Sequence, residues 1–218
     1  MPGRWVTFDC YGTIVDWNAG LAAVLAEVFG DEPREALIAG FNDAERRVKH
    51  ADGYRRYREV LAASVRDMAA ARGREVDDAE ADVLARRWGT IAPFADAGTG
   101  LGALRERGFQ LAILTNCDDD LFALTHRSFL LPFDIVVTAE QVRDYKPSPA
   151  HFRRFAALAK PDDWVHVACS WYHDIVPAKA LGVKRVWLDR EGTGEDPAAA
   201  SSRVTSAQDV AAAIARLA

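Results

Sequence analysis

Several polar residues of this chain stand at the ends of short apolar runs, and their types are those of a nucleophilic site. Asp9 closes RWVTFD, and Thr115 and Asn116 follow FQLAIL. Lys146 sits in DYKPSP, one short loop beyond FDIVVT, while Ser170 and Asp174 follow WVHVA. An ionised carboxylate can act as a nucleophile. An adjacent ammonium lowers a carboxylate pKa by roughly 1–3 units, and Lys146 is the candidate for that. Thr13, Thr115 and Asn116 can fix the carboxylate in one rotamer or hold a substrate. Thr115 and Asn116 can also serve as N-cap residues for the segment after them. Asp174 can orient Lys146, position water or bind a metal.

The elements that must bring these residues together alternate. The spacing predicts strands at Arg4–Cys10, Phe109–Leu114, Phe133–Thr138, Trp164–Ala168 and Val183–Leu188. Helices are expected at Gly100–Arg107, Asp118–Phe129, Pro149–Ala159, Asp174–Leu181 and from about Ser206. Strands alternating with helices imply an α/β fold with a parallel sheet covered on both faces. Ligands bind such sheets beyond the carboxyl ends of the strands, which is where the polar residues fall. Between Trp17 and Trp88 the pattern turns wholly helical, with breaks expected at Gly30–Pro33, Gly40, Asp52-Gly53 and Gly73. This block reads as an inserted helical cap. The expected division is a core of 1–14 and 92–218 with a cap of 15–91. Gly192–Ser202 reads as the clearest flexible loop.

FDCYGTIVD, LAILTNCD, YKPSP and HVACSWYHDIVPAKALG resemble, in order, the four motifs of the haloacid dehalogenase superfamily, spanning Phe8 to Gly182. The resemblance implies a Rossmann-like core, an α-helical cap after the first motif and an aspartyl-ester intermediate. By position it makes Asp9 the nucleophile, and gives Thr115 and Asn116 the second-motif role, Lys146 the third and Asp174 the acidic fourth. The superfamily's phosphatases carry a second aspartate two residues after the nucleophile. Tyr11 stands there, and a phenol with pKa near 10 is a poor base at neutrality. A departing halide needs no proton, and this form of the motif is similar to the L-2-haloacid dehalogenases. Cys169 replaces a magnesium ligand of the phosphatases, and magnesium prefers oxygen. Asp9, Asp174 and Lys146 sum to a charge of −1. A phosphate dianion would worsen that balance, whereas one arginine would largely offset a monocarboxylate.

The expected catalytic residues are therefore Asp9, Thr13, Lys146 and Asp174, with Tyr11, Thr115, Asn116, Ser170 and Trp171 at the substrate. No cofactor is expected. Under a phosphatase alternative, Mg2+ would be held by Asp9, the Tyr11 backbone and Asp174. A non-catalytic binding protein on the same fold is the other alternative. The chain departs from the dehalogenase pattern at Trp171, at Phe152 and in lacking an arginine at Ile38–Ala44. Arg46, Arg47, Arg55, Arg56 and Arg58 are nearby. Trp17, Phe41 and Trp171 are candidates to line an apolar pocket, and Trp88 reads as core.

The remaining numbers set limits. The 218 residues allow one well-packed domain with a smaller insertion. A formal charge of −5 argues against nucleic acid as the main partner. No run of 18 apolar residues occurs, so no membrane partner is expected. Three widely spaced cysteines, at 10, 117 and 169, suggest a reducing compartment, and the cytoplasm is the expected location. Each lies next to a motif residue, where small buried thiols suit the packing. The expected partner is a small-molecule substrate, with a homodimer possible.

Overall fold

The structure is a computed structural model that describes residues 3–30, 32–49 and 53–217. In chain order its elements are β1 (Arg4–Phe8), α1 (Trp17–Phe29), α2 (Arg34–Lys49), α3 (Tyr57–Ala70), α4 (Asp78–Ala81), α5 (Val83–Arg87), α6 (Ala97–Glu106), β2 (Gln110–Thr115) and α7 (Asp119–His126). They continue with β3 (Ile135–Thr138), α8 (Ala139–Val142), α9 (Ala150–Ala159), β4 (Asp163–Ala168), α10 (Val176–Ala180), β5 (Lys184–Leu188), β6 (Ser202–Val204) and α11 (Val210–Ala215). A π-helical turn, Trp171–Ile175, leads into α10.

Two compact units form. The α/β unit runs through Val15, then takes Pro93–Asn116 and everything from Phe129. Among its described residues, six strands make one parallel sheet in the order β3-β2-β1-β4-β5-β6. Helices and turns connect the strands, as the alternation in sequence requires, because a parallel pair needs a long crossover. The order reverses at β1, which lies between β2 and β4. That reversal opens a crevice at the carboxyl ends, where ligands bind in doubly wound sheets. Register sets what meets there. Phe8 pairs with Ile113 on one side and Val167 on the other. The residue after Phe8 therefore sits level with Leu114 and Ala168, and 115–116 and 169–170 lie just beyond.

The core beside the sheet is built from apolar side chains of β1, β2, β3, α9 and α10. Trp5, Ala112, Leu114, Val137, Phe152, Phe155 and Ala178 are all buried in it. The segment expected to be a flexible loop ends in β6, which adds an edge strand to β5. Three residues with alternating burial are too short to register against a Gly- and Ala-rich background.

The second unit comprises Asp16–Ala92 together with Cys117–Ser128. Its described elements are all helices. Gly40 does not break a helix, contrary to expectation, but lies inside α2. A Cβ there would stand 3.1 Å from the Arg72 guanidinium and 3.4 Å from the Met68 methyl, so close packing explains the glycine. Asp31 and Asp52, within two of the expected breaks, lie outside the described residues. Trp17, Phe41, Tyr57 and Trp88 form an aromatic cluster, with Phe41 and Trp88 fully buried.

Residues 117–128 group with the helical unit, whereas the expected division placed everything after 92 with the sheet. Asp118, fully buried, ties this segment to α3. Its two carboxylate oxygens accept the backbone N–H groups of Tyr57 and Arg58, each at 2.9 Å. These are the first orphan amides of α3, so a residue 60 positions away caps the helix.

No helix among the described residues is long and apolar enough to cross a membrane.

Candidate active site

β1 ends at Phe8, and the chain then turns tightly. The N–H groups of Thr13, Ile14 and Val15 all donate to the Cys10 carbonyl. Gly12 makes this turn possible. Its φ is +88°, and a Cβ would lie 3.0 Å from the Cys169 sulfur. The turn folds Thr13 back, so that its hydroxyl donates to Asp9 Oδ2 at 2.7 Å and accepts the Cys169 N–H at 2.9 Å. Arg190 holds the same turn from β5's side. Its Nε donates to the Thr13 carbonyl at 2.9 Å, and its two terminal nitrogens grip Asp96 at 3.1 and 2.9 Å.

Lys146 lies at the centre. Its Nζ donates to Asp9 Oδ1 at 2.8 Å, to Asp174 Oδ1 at 2.6 Å and to the Leu114 carbonyl at 2.8 Å. All three ammonium hydrogens are thus used, in a setting where the lysine is 2% exposed. Burial alone would lower its pKa. The charges of Asp174 and then Asp9 outweigh burial, and the net shift is upward, so Lys146 is an ammonium across the ordinary pH range. Burial likewise opposes ionisation of Asp174. The Lys146 charge and a hydrogen bond from His166 overcome it and bring its pKa to about 2.

The remaining expected residues divide. Asn116 is committed to the Lys146 backbone rather than open to a ligand. Its Oδ1 accepts the Lys146 N–H at 2.7 Å and its Nδ2 donates to the Lys146 carbonyl at 3.1 Å, clamping the lysine's loop. Thr115 is fully buried, and its carbonyl lies 3.0 Å from His151 Nε2. Ser170 caps the π-helical turn: its Oγ accepts the His173 N–H at 3.1 Å, and its carbonyl accepts the Asp174 N–H. It therefore positions Asp174. Trp171 packs against Trp187, ring centroids 5.0 Å apart, beside Ala168, Ile175 and Ala199. That packing gives it a structural task which its place in the motif did not suggest. Tyr11 is half-buried and its backbone bridges to Val15. Trp17 and Phe41 belong to the aromatic cluster of the helical unit. There too, Arg46 pairs with Asp43, Arg47 with Asp67, and Arg56 and Arg58 with Asp120.

Two buried histidines escaped the sequence reading. His166, in β4, places Nε2 3.0 Å from Asp174 Oδ1. His151, in α9, is held neutral: burial first, then the Lys146 charge, takes its pKa down to about 4. The signal was present for His166, since an imidazole in the middle of a strand buried on both faces demands a partner.

The donor set fits magnesium poorly. Asp9 is taken at both oxygens, by Lys146 and Thr13, Asp174 Oδ1 is taken by Lys146 and His166, and the third position holds a thiol. Burial and the neighbouring Asp9 carboxylate push the Cys169 pKa up to about 12, so that thiol stays protonated and offers a hard cation little. Among the described residues, no three His, Cys, Asp or Glu side chains group as metal ligands. One buried oxygen, Asp174 Oδ2, has no hydrogen-bond partner in the protein.

A model of the haloacid dehalogenase-like hydrolase family matches residues 4–182. The chain belongs to that family. This hydrolase is 24% identical over 200 residues to haloacetate dehalogenase H-2 of Moraxella sp. strain B, covering 88% of each chain. It is 32% identical over 182 residues to a phosphoserine phosphatase of Thermus thermophilus, covering 80% of this chain and 71% of the phosphatase. Among solved structures, its fold matches L-2-haloacid dehalogenase from Xanthobacter autotrophicus with a TM-score of 0.85 and 17% identity over the full length of both chains. A form of that enzyme with chloropropionic acid covalently bound matches at 0.84 and 18% identity, again over both full chains. The hydrolase thus shares with these proteins the α/β fold whose strand ends carry its polar cluster.

Proposed function

We propose that this hydrolase removes halide from small 2-halogenated carboxylic acids through a covalent ester on Asp9. One observation carries the reading: a single buried ammonium bridges Asp9 and Asp174 while Thr13 holds the other Asp9 oxygen. This holds the Asp9 carboxylate in one orientation. An Asp9 oxygen attacks the sp3 carbon in line, a C–O bond forms, and the C–halogen bond breaks with its electron pair leaving on halide. No proton is needed, which suits tyrosine at position 11.

Water then attacks the Asp9 carboxyl carbon. Attack through one Asp9 oxygen leaves the other, Oδ1 beside Lys146 Nζ or Oδ2 beside Thr13 Oγ1, to carry the developing negative charge next to a donor already in place. Asp174 Oδ2, unpartnered in the protein, accepts a hydrogen bond from the attacking water. As a proton acceptor Asp174 is weak at a pKa of about 2, so its main contribution is orientation. Its Oδ1 meanwhile keeps Lys146 charged. The bond from the carboxyl carbon to the ester oxygen breaks, one of the water's protons ends on that oxygen and the other passes to solvent, and a 2-hydroxy acid leaves with the Asp9 carboxylate restored.

In this reading the helical unit serves as the cap domain, no cofactor is required, and the protein works on a small molecule in the cytoplasm. The test is a single turnover with enzyme in excess in heavy-oxygen water. The label is expected in Asp9, with none in the hydroxyl of the product. Label appearing directly in product with Asp9 unlabelled refutes the ester.

The 32% identity to a phosphatase favours one second reading, a magnesium-dependent phosphatase. Hydrolysis of p-nitrophenyl phosphate that EDTA abolishes would establish it. Halide release that EDTA leaves unchanged would establish the first.

A further inference from the structure

A chain of hydrogen bonds runs from the sheet interior to the Asp174 carboxylate. Trp164 Nε1 lies 2.8 Å from Thr7 Oγ1, Thr7 Oγ1 lies 2.8 Å from His166 Nδ1, and His166 Nε2 lies 3.0 Å from Asp174 Oδ1. The strand register makes this possible, because Thr7 and His166 are paired neighbours on β1 and β4. Direction follows from which groups can donate. An indole N–H only donates, so Thr7 accepts from Trp164 and has its own hydroxyl hydrogen for His166 Nδ1. A carboxylate only accepts, so the hydrogen facing Asp174 sits on His166 Nε2. The ring is also fixed sterically. Phe152 meets it edge-on, with centroids 4.9 Å apart, and both side chains are buried.

From this geometry we infer that His166, oriented by Thr7 and Trp164, is a positioning residue that clamps Asp174 so that Oδ2 faces the reacting water. This rests on the proposed ester mechanism. Asp174 Oδ1 receives hydrogen bonds from both Lys146 and His166, which fixes the carboxylate plane and leaves Oδ2 as the one oxygen open to another donor. Lys146 alone sets a distance to Oδ1, not the rotation of the carboxylate. His166 supplies the second point that rotation requires. Its effect falls on ester hydrolysis, where water must be aimed, and not on ester formation, which Asp9 performs.

The test compares His166→Leu, which removes the donor, with His166→Gln, whose amide N–H reaches the same place. With a 2-chlorinated acid, His166→Leu should lower kcat roughly tenfold to hundredfold, the worth of one hydrogen bond to a charged group. KM should fall by about the same factor, leaving kcat/KM within about threefold, and a burst of about one halide per enzyme should precede slow turnover. The acid-quenched Leu variant should carry one carboxyalkyl adduct on Asp9 by mass spectrometry. His166→Gln should restore turnover to within about threefold of the unsubstituted enzyme. A Leu variant with unchanged kcat per folded molecule, or a Gln variant impaired as badly as Leu, overturns the inference. A measurement free of turnover accompanies these. Nitrogen NMR of the His166 ring should place a hydrogen on Nε2, and Thr7→Val should disturb that signal. A neutral ring protonated on Nδ1 alone overturns the clamp. If the unsubstituted enzyme releases no halide and forms no adduct, the dehalogenase reading fails while the ring protonation still decides the hydrogen-bond chain.

Discussion

The two units both pair carboxylates with cations, yet the pairs do opposite things. In the α/β unit, Lys146, Asp9 and Asp174 are almost wholly out of water, and the one ammonium meets both carboxylates at 2.8 and 2.6 Å. In the helical unit, Arg56 and Arg58 reach Asp120 at 3.3 and 3.2 Å with all three side chains substantially exposed. Solvent screens those pairs, and the entropy of holding long side chains offsets most of their attraction. Asp118 lies two residues from Asp120 but belongs with the first kind, since its carboxylate is buried against backbone amides. Burial rather than residue type decides which ion pairs matter, because desolvation magnifies both the gain from a partner and the penalty for losing one.

The sharpest test of that contrast is Asp9→Asn. Turnover should fall by at least about a thousandfold, while the melting temperature stays within a few degrees because Lys146 keeps Asp174. Survival of activity in a steady-state halide assay would remove Asp9 from the chemistry. Lys146→Met should come next. It strands two buried carboxylates, and urea unfolding at neutral pH should show a loss of about 3–5 kcal/mol together with loss of turnover. Asp118→Ala should cost about 1–2 kcal/mol in the same experiment, the value of a helix cap. Asp120→Ala should change stability by less than about 1 kcal/mol. If the Asp118 and Asp120 variants unfolded alike, burial would not be the deciding variable.

Acidification sharpens the comparison further. Asp174 has a pKa of about 2 in the folded protein against 3.8 ordinarily, so the unfolded chain takes up its proton first as pH falls. Its stabilisation is full above about pH 4 and drains toward pH 2. His151 works in the same direction at higher pH. It titrates at about 4 when folded against 6.5 when unfolded, so its contribution is full above 6.5 and is lost as pH drops toward 4. His151→Gln, which keeps a donor for the Thr115 carbonyl, should therefore flatten the melting curve's pH dependence between 6.5 and 4 relative to the unsubstituted protein. Lys146 has the opposite sign. Its raised pKa stabilises the fold below the ordinary lysine range and is lost only at strongly alkaline pH.

Much of this was legible in one dimension. Apolar runs followed by Asp9, Thr115 and Ser170 announced strands of a parallel sheet with polar residues at their carboxyl ends, and the four ordered motifs pointed to the family. Periodicity sees hydrophobic faces well because burial is repeated every two or nearly four residues. It does not see a three-residue edge strand such as β6. It also misread Gly40, since the close approach of Met68 and Arg72 that calls for a glycine comes from α3 and the turn after it, far along the chain.

The residue types at the strand ends, their order and the missing second acid at Tyr11 were fixed by the amino-acid sequence. The partners of each side chain were decided only by the fold. Asn116 turned out to clamp the Lys146 backbone, Ser170 to cap the turn carrying Asp174, and Asp118 to cap a helix 60 positions away. His166 looked like one more residue of a buried strand until the register of β4 against β1 set it between Thr7 and Asp174. A hydrogen bond depends on distance and direction between groups remote in the chain, and those exist only once the strands have paired.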